Sequence, residues 1–114
     1  MFEERRGRKP GEENSAEEKQ AWTAGPLFPL GSVLTTPGAL RSLESAGEDA
    51  LRLLGRHALG DWGDLTDDDR EANDEALRSE GRLLSAYRLA GGAKVWIITE
   101  WDRSVTTLLL PSEY

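Results

Sequence analysis

Cysteine is absent from the 114 residues, which excludes disulfides and thiolate metal sites and makes a reducing, cytoplasmic setting the expected one. Long apolar runs are missing too, and no segment approaches the roughly 20 residues of a membrane span. Met1 is followed by Phe2-Glu3-Glu4-Arg5-Arg6 rather than by an apolar core, so neither secretion nor membrane insertion is expected. No glycine-rich phosphate loop opens a helix, no serine or cysteine nucleophile signature is present, and histidine occurs once, as His57. No cofactor is expected, and an enzyme is the less favoured class.

What the chain has in excess is acid. The net charge is −7, and its placement says more than its total. Between Glu44 and Glu80 twelve carboxylates face Arg52, Arg56, Arg70 and Arg78, so the acidity belongs to the middle of the chain. Such a surface repels nucleic-acid phosphates within about 8 Å at physiological salt and attracts basic protein surfaces. The plainer reading is a solvated helix face that maintains solubility.

Taken in order, residues 1–25 mix Glu, Arg, Lys, Gly and Asn with almost no apolar content and read as a disordered charged tail. Its basic cluster, Arg5 to Lys9, is flanked by glutamates, which weakens it as a nucleic-acid contact. A single domain is expected over residues 26–114. Residues 31–35 suit a short extra strand near the N-terminus, confined to an edge by nearby glycine and proline. Thr36-Pro37 starts a first helix, because a hydroxyl caps orphan amides and proline is tolerated in the first turn. Gly47 ends it. A second helix follows Glu48-Asp49, with Ala50, Leu53, Leu54 and His57 on one stripe, and stops at Gly60. Thr66 before Asp67-Asp68-Asp69 caps a third helix that ends near Glu80 and offers only a thin apolar contact at Ala72, Ala76 and Leu77.

Residues 82–111 then read as three strands, rich in β-branched and aromatic side chains, with Gly91-Gly92 as a two-residue hairpin turn. Counting outward from that turn pairs Leu89 with Lys94, Tyr87 with Trp96, Ser85 with Ile98 and Leu83 with Glu100. Tyr87 and Trp96 then share a partly open face, a recognition surface or a self-association surface, while the smaller face packs on helices. The fold class is α+β: three short helices followed by a three-stranded antiparallel meander.

Two groups of residues invite a chemical reading. His57, Glu100 and Arg103, converging if the sheet folds back on the second helix, have the types a small RelE-like or barnase-like ribonuclease or toxin needs, a base beside charge-stabilising groups. The commoner role for such a histidine is to bond the end of its own helix or Asp61. His57, Asp61 and Asp64 together are too loosely patterned for a metal site, and none is expected. Residues 99–104 form the densest polar turn. Asp102 and Arg103 there either close the turn or, with Trp101 as an aromatic anchor, make a recognition loop. Trp62 sits in a second turn, between Asp61 and Gly63, and joins the candidate binding residues.

Three stretches, L-G-S-V-L-T-T-P-G-A-L over 30–40, R-H-A-L-G-D-W-G-D-L over 56–65 and W-I-I-T-E-W-D-R-S-V-T-T-L-L-L-P-S-E-Y over 96–114, make the chain similar to a family of small uncharacterised bacterial proteins described as plasmid-related. The resemblance implies association with a mobile element, plasmid or phage, and brings neither an activity nor catalytic residues. The resulting expectation is a small acidic, non-enzymatic accessory protein that binds a macromolecular partner with a basic surface, in its sharpest form as an inhibitor. The acidic field disfavours nucleic acid as that partner. A homodimer through the Tyr87 and Trp96 face is the alternative that involves no second protein.

Overall fold

The structure is a computed structural model in which residues 25–114 are described, so residues 1–24 of the expected tail, with its basic cluster, lie outside the described residues. The element order is β1 (Ser32–Thr35), α1 (Pro37–Ala46), α2 (Ala50–Ala58), α3 (Asp67–Ser79), β2 (Leu83–Arg88), β3 (Lys94–Thr99), β4 (Val105–Leu109) and a 3-10 turn at Pro111–Glu113. This is the expected α+β arrangement, three helices and then a meander. Each helix starts where a side chain takes over an orphan amide: Thr36 accepts from the Ala39 N–H, Asp49 from Leu51 and Thr66 from Asp69.

The four strands lie in the order β1-β4-β3-β2. β1 is an edge strand, and it runs parallel to β4, with Ser32 beside Val105 and Thr35 beside Leu108. Nothing local foretells that alignment, because the two strands are separated by all three helices and two other strands.

The hairpin differs from expectation by one residue. Leu89 donates to the Ala93 carbonyl and accepts from the Gly92 N–H, so the loop holds Ala90, Gly91 and Gly92 rather than two glycines alone. Gly91, with φ 91°, fills the third position of the turn, where a left-handed backbone favours glycine, and Gly92 is the extra residue. Tyr87 therefore pairs with Val95, and Trp96 pairs with Ala86. A slip of one residue exchanges faces. Tyr87 and Trp96 consequently lie on opposite sides of the sheet, which corrects both the shared aromatic face and the homodimer built on it.

Leu83, Ser85, Tyr87, Leu89, Val95, Ile97, Thr99, Thr106 and Leu108 form the buried face. On it pack Ala39 and Leu43 of α1 and Leu53 and Leu54 of α2, each buried leucine contributing on the order of 1.5–3 kcal/mol. Beside this core, Phe28, Trp62, Ala76 of α3 and Leu83 make a second cluster. The opposite face carries Leu84, Trp96, Ile98, Thr107 and Leu109. There half-buried Trp96 meets Tyr114 edge-on at 5.5 Å, and Arg82 donates to the Tyr114 hydroxyl and pairs with Glu100 at 3.6 Å.

The outer edge of β2 is closed by groups from outside the sheet. The Ala86 N–H donates to the Trp62 carbonyl at 3.0 Å, and the Asp64 N–H donates to the Ala86 carbonyl at 2.6 Å. That approach requires glycine between them: a Cβ on Gly63, at φ 76°, would lie 2.1 Å from the Ala86 oxygen. One step along, the Asn73 side chain of α3 donates to the Leu84 carbonyl at 2.7 Å and accepts its N–H at 3.0 Å, standing in for a neighbouring strand. Asn73→Leu removes both partners while keeping the bulk. It should lower unfolding free energy by about 1–3 kcal/mol in urea titration and speed hydrogen exchange at the Leu84 amide. Unchanged protection at Leu84 would show that Asn73 does not hold this edge.

Candidate functional site

Asn73 fixes how α3 is turned. With Asn73 and Ala76 facing the sheet, helical periodicity sends Asp68, Glu71, Asp74 and Glu75 outward, where they line a shallow surface groove with Ala72 and Arg78. Asp67, Asp68 and Asp69 occupy the first turn, where the positive end of the helix dipole favours carboxylates. Arg70 is not spread over the acidic surface but turned back to the Gly63 and Leu65 carbonyls, and Arg78 pairs with Glu75 at 2.8 Å. The outer side of α3 thus keeps most of its negative charge.

At the C-terminal end of this helix stands the turn between β3 and β4. Asp102 Oδ1 accepts from the Ser104 N–H at 3.0 Å and from its hydroxyl at 2.7 Å, and these bonds hold the Asp102 carboxyl below its ordinary value. Arg103 takes a left-handed backbone, φ 61°, a strained choice for a residue with a Cβ. Its guanidinium offsets the strain by donating to the carbonyls of Ala76, Gly81 and Glu100, with the Phe28 ring 5.7 Å beneath. Charge-assisted bonds to carbonyls contribute about 1.5–3 kcal/mol each. Arg103 therefore caps the last turn of α3 and fastens the loop to it. Asp102 thus closes the turn, one of the two roles expected of it, and Arg103 bonds only backbone carbonyls. Trp101, immediately before these two residues in the same turn, is 60% exposed.

The remaining expected site residues are dispersed. Trp62 is 4% exposed and packed against both the Phe28 and His57 rings, which removes it from any binding surface. Tyr87 is 2% exposed; its hydroxyl donates to the Asp61 carbonyl at 2.6 Å and burial pushes its pKa up to about 12. Arg56 lies over its ring at 4.6 Å and bonds Asp61 at 2.7 Å. Glu100 turns to the face opposite His57, so His57, Glu100 and Arg103 do not share an open site. Asn73 and the outward carboxylates of α3 were not singled out individually by sequence. The signal available was one polar residue in phase with Ala76 on an otherwise acidic helix.

His57 is fully enclosed and joins α2 directly to β2 and β3 and, through Thr99, to β4. Its Nδ1 is 2.5 Å from Ser85 Oγ and its Nε2 is 2.9 Å from Thr99 Oγ1. Thr99 Oγ1 is 2.7 Å from Thr106 Oγ1, which donates to the Leu30 carbonyl at 2.7 Å. A carbonyl only accepts, so each proton along the row has one place. Thr106 donates to Leu30, Thr99 to Thr106, His57 Nε2–H to Thr99, and Ser85 to the bare Nδ1. The row places the proton on Nε2, and burial, which lowers the imidazole pKa to about 4, keeps the ring neutral.

Set against protein-family models, curated protein sequences and solved structures, the chain matches none of them.

A histidine neutral when folded binds a proton more readily when unfolded. Its contribution to stability is complete above the unfolded pKa of 6.5 and is lost as pH falls toward about 4. The loss should approach roughly 3 kcal/mol in urea titrations across that window. In His57→Gln the same window should be nearly flat, and an equal slope in both proteins would mean that other groups carry it.

Proposed function

We propose that the protein is a small acidic, non-enzymatic binding protein that docks on a basic surface of a protein partner through the outer side of α3 and the adjoining Trp101 loop. The supporting observation is the Arg103 fastening. It bonds the Ala76 and Gly81 carbonyls, and so holds an exposed tryptophan at the end of a helix whose outward side chains are mostly carboxylates. Aromatic anchors flanked by complementary charge are the usual carriers of binding energy, and the charges govern the approach of the partner more than the final affinity. A row of carboxylates on a rigid helix also offers a basic nucleic-acid-binding protein a substitute for phosphates, which makes inhibition of such a protein the sharper form of the proposal. We place that partner, as part of the same proposal, among those a mobile element meets in the cytoplasm.

No observation favours the ribonuclease reading. A neutral, enclosed imidazole and a guanidinium committed to three carbonyls leave no base and cation facing a substrate.

The experiment is capture of partners from host lysate on the full chain, followed by titration with the purified partner. Trp101→Ala is expected to weaken binding about 30-fold, as loss of a buried aromatic anchor does. The triple variant Asp68→Asn, Glu71→Gln, Glu75→Gln should slow association and remove most of its salt dependence between about 0.05 and 0.5 M. Trp101→Ala should leave stability unchanged, and the triple variant should lower it only slightly, through the lost first-turn charge of Asp68 and the exposed Glu75–Arg78 pair, since all four side chains are exposed. A partner that binds both variants like the parent, or is indifferent to salt, would rule the proposal out.

A further inference from the structure

The two edges of the sheet are finished differently. β2 is closed by Trp62, Asp64 and Asn73, whereas the outer edge of β1 has no backbone partner among the described residues. Ser32 and Thr36 donate inward, to the Ser104 and Leu108 carbonyls. By the alternation of a ladder, the N–H and C=O of Val33 and Thr35 therefore point outward. Edge strands are ordinarily guarded by a charge, a proline or a bulge. Ser32–Thr35 has none of these, and every residue in it is exposed, Val33 at 44% and Leu34 at 56%.

Charge points to what this edge accepts. No charged residue occurs over residues 20–40, in a chain where 31% of residues are charged and the net charge is −7. A basic partner gains nothing from a neutral strand. Two like-charged copies, in contrast, approach at least cost where neither carries charge. The strand is also complementary to itself. Turned antiparallel about Leu34, it sets Val33 of one copy opposite Thr35 of the other, which aligns all the outward groups, and places the two Leu34 side chains side by side on one face.

We propose that the outer edge of β1 pairs antiparallel with the same edge of a second copy, joining two four-stranded sheets into one continuous sheet across a two-fold axis. The contact is isologous and small, so it forms at high protein concentration. Because it opposes net repulsion between acidic copies, it strengthens as salt screens that repulsion. Partner binding through α3 has the opposite salt dependence, so the two proposals stand or fall separately.

Light scattering on the full chain, from about 10 μM to about 1 mM and at low and high salt, tests this. The expected mass rises from the 12.6 kDa of one chain toward twice that value, and rises sooner at high salt. Val33→Pro deletes an outward N–H and leaves the ladder to β4 intact, as edge prolines do. Leu34→Glu sets two carboxylates against each other at the axis. Both variants should stay at the mass of one chain, with the circular dichroism of the parent. Leu51→Glu makes the same charge change on α2, at a side chain 75% exposed, and should still dimerise. Should Val33→Pro fail to fold, Leu34→Glu decides. A parent chain that remains single throughout overturns the proposal, and so does a dimer that persists in Leu34→Glu.

Discussion

The row of hydrogen bonds from Ser85 through His57, Thr99 and Thr106 to the Leu30 carbonyl is the constraint on which the rest of this structure depends. It links α2, the three strands of the meander and the segment that leads into β1, all within the apolar interior. A buried polar row is stabilising only when every member is satisfied, and here donors and acceptors match in a single direction. That matching requires serine and threonine on the inward face of the sheet, where aliphatic residues would otherwise be expected. It also fixes the depth of α2. A helix shifted by one turn would bring Leu53 or Leu54 to the hydroxyls and leave them without partners.

The same economy governs the margins of the fold. Asn73 completes β2, Arg103 completes α3, and Glu113 accepts from the Thr36 hydroxyl at 2.6 Å while that hydroxyl accepts the Ala39 N–H. In each case a side chain supplies hydrogen bonds that secondary structure leaves open at its ends. The candidate binding surface follows from two of these contacts. Asn73 sets the outward phase of the acidic helix, and Arg103 brings the tryptophan-bearing turn against the end of that helix.

The elements whose signals are local were legible in the sequence. Thr36-Pro37, Asp49 and Thr66 mark helix starts by capping chemistry, and the stripe of Leu53, Leu54 and His57 correctly anticipates a buried face. The strands were found from their β-branched content, with β1 recognised as an edge. Register was not, because both a two-residue and a three-residue loop accommodate adjacent glycines, and one residue of difference moved Tyr87 into the core. Trp62 was misplaced for a related reason: its neighbours Asp61 and Gly63 are turn formers, yet the turn is pressed against Phe28 and His57. Of the candidate site, Trp101 was visible as an aromatic residue in a polar turn. The carbonyls that claim Arg103 come from residues 76, 81 and 100, and no short pattern records such convergence.

The parallel alignment of β1 with β4 bears on the order in which the molecule can assemble. Ser32 must wait for Val105, more than seventy residues later along the chain, before the two strands can join. On a ribosome, α1, α2 and α3 all emerge before any strand of the meander, so Leu43, Leu53 and Leu54 have no sheet to cover them while translation proceeds. Contacts this distant in sequence are slow to form.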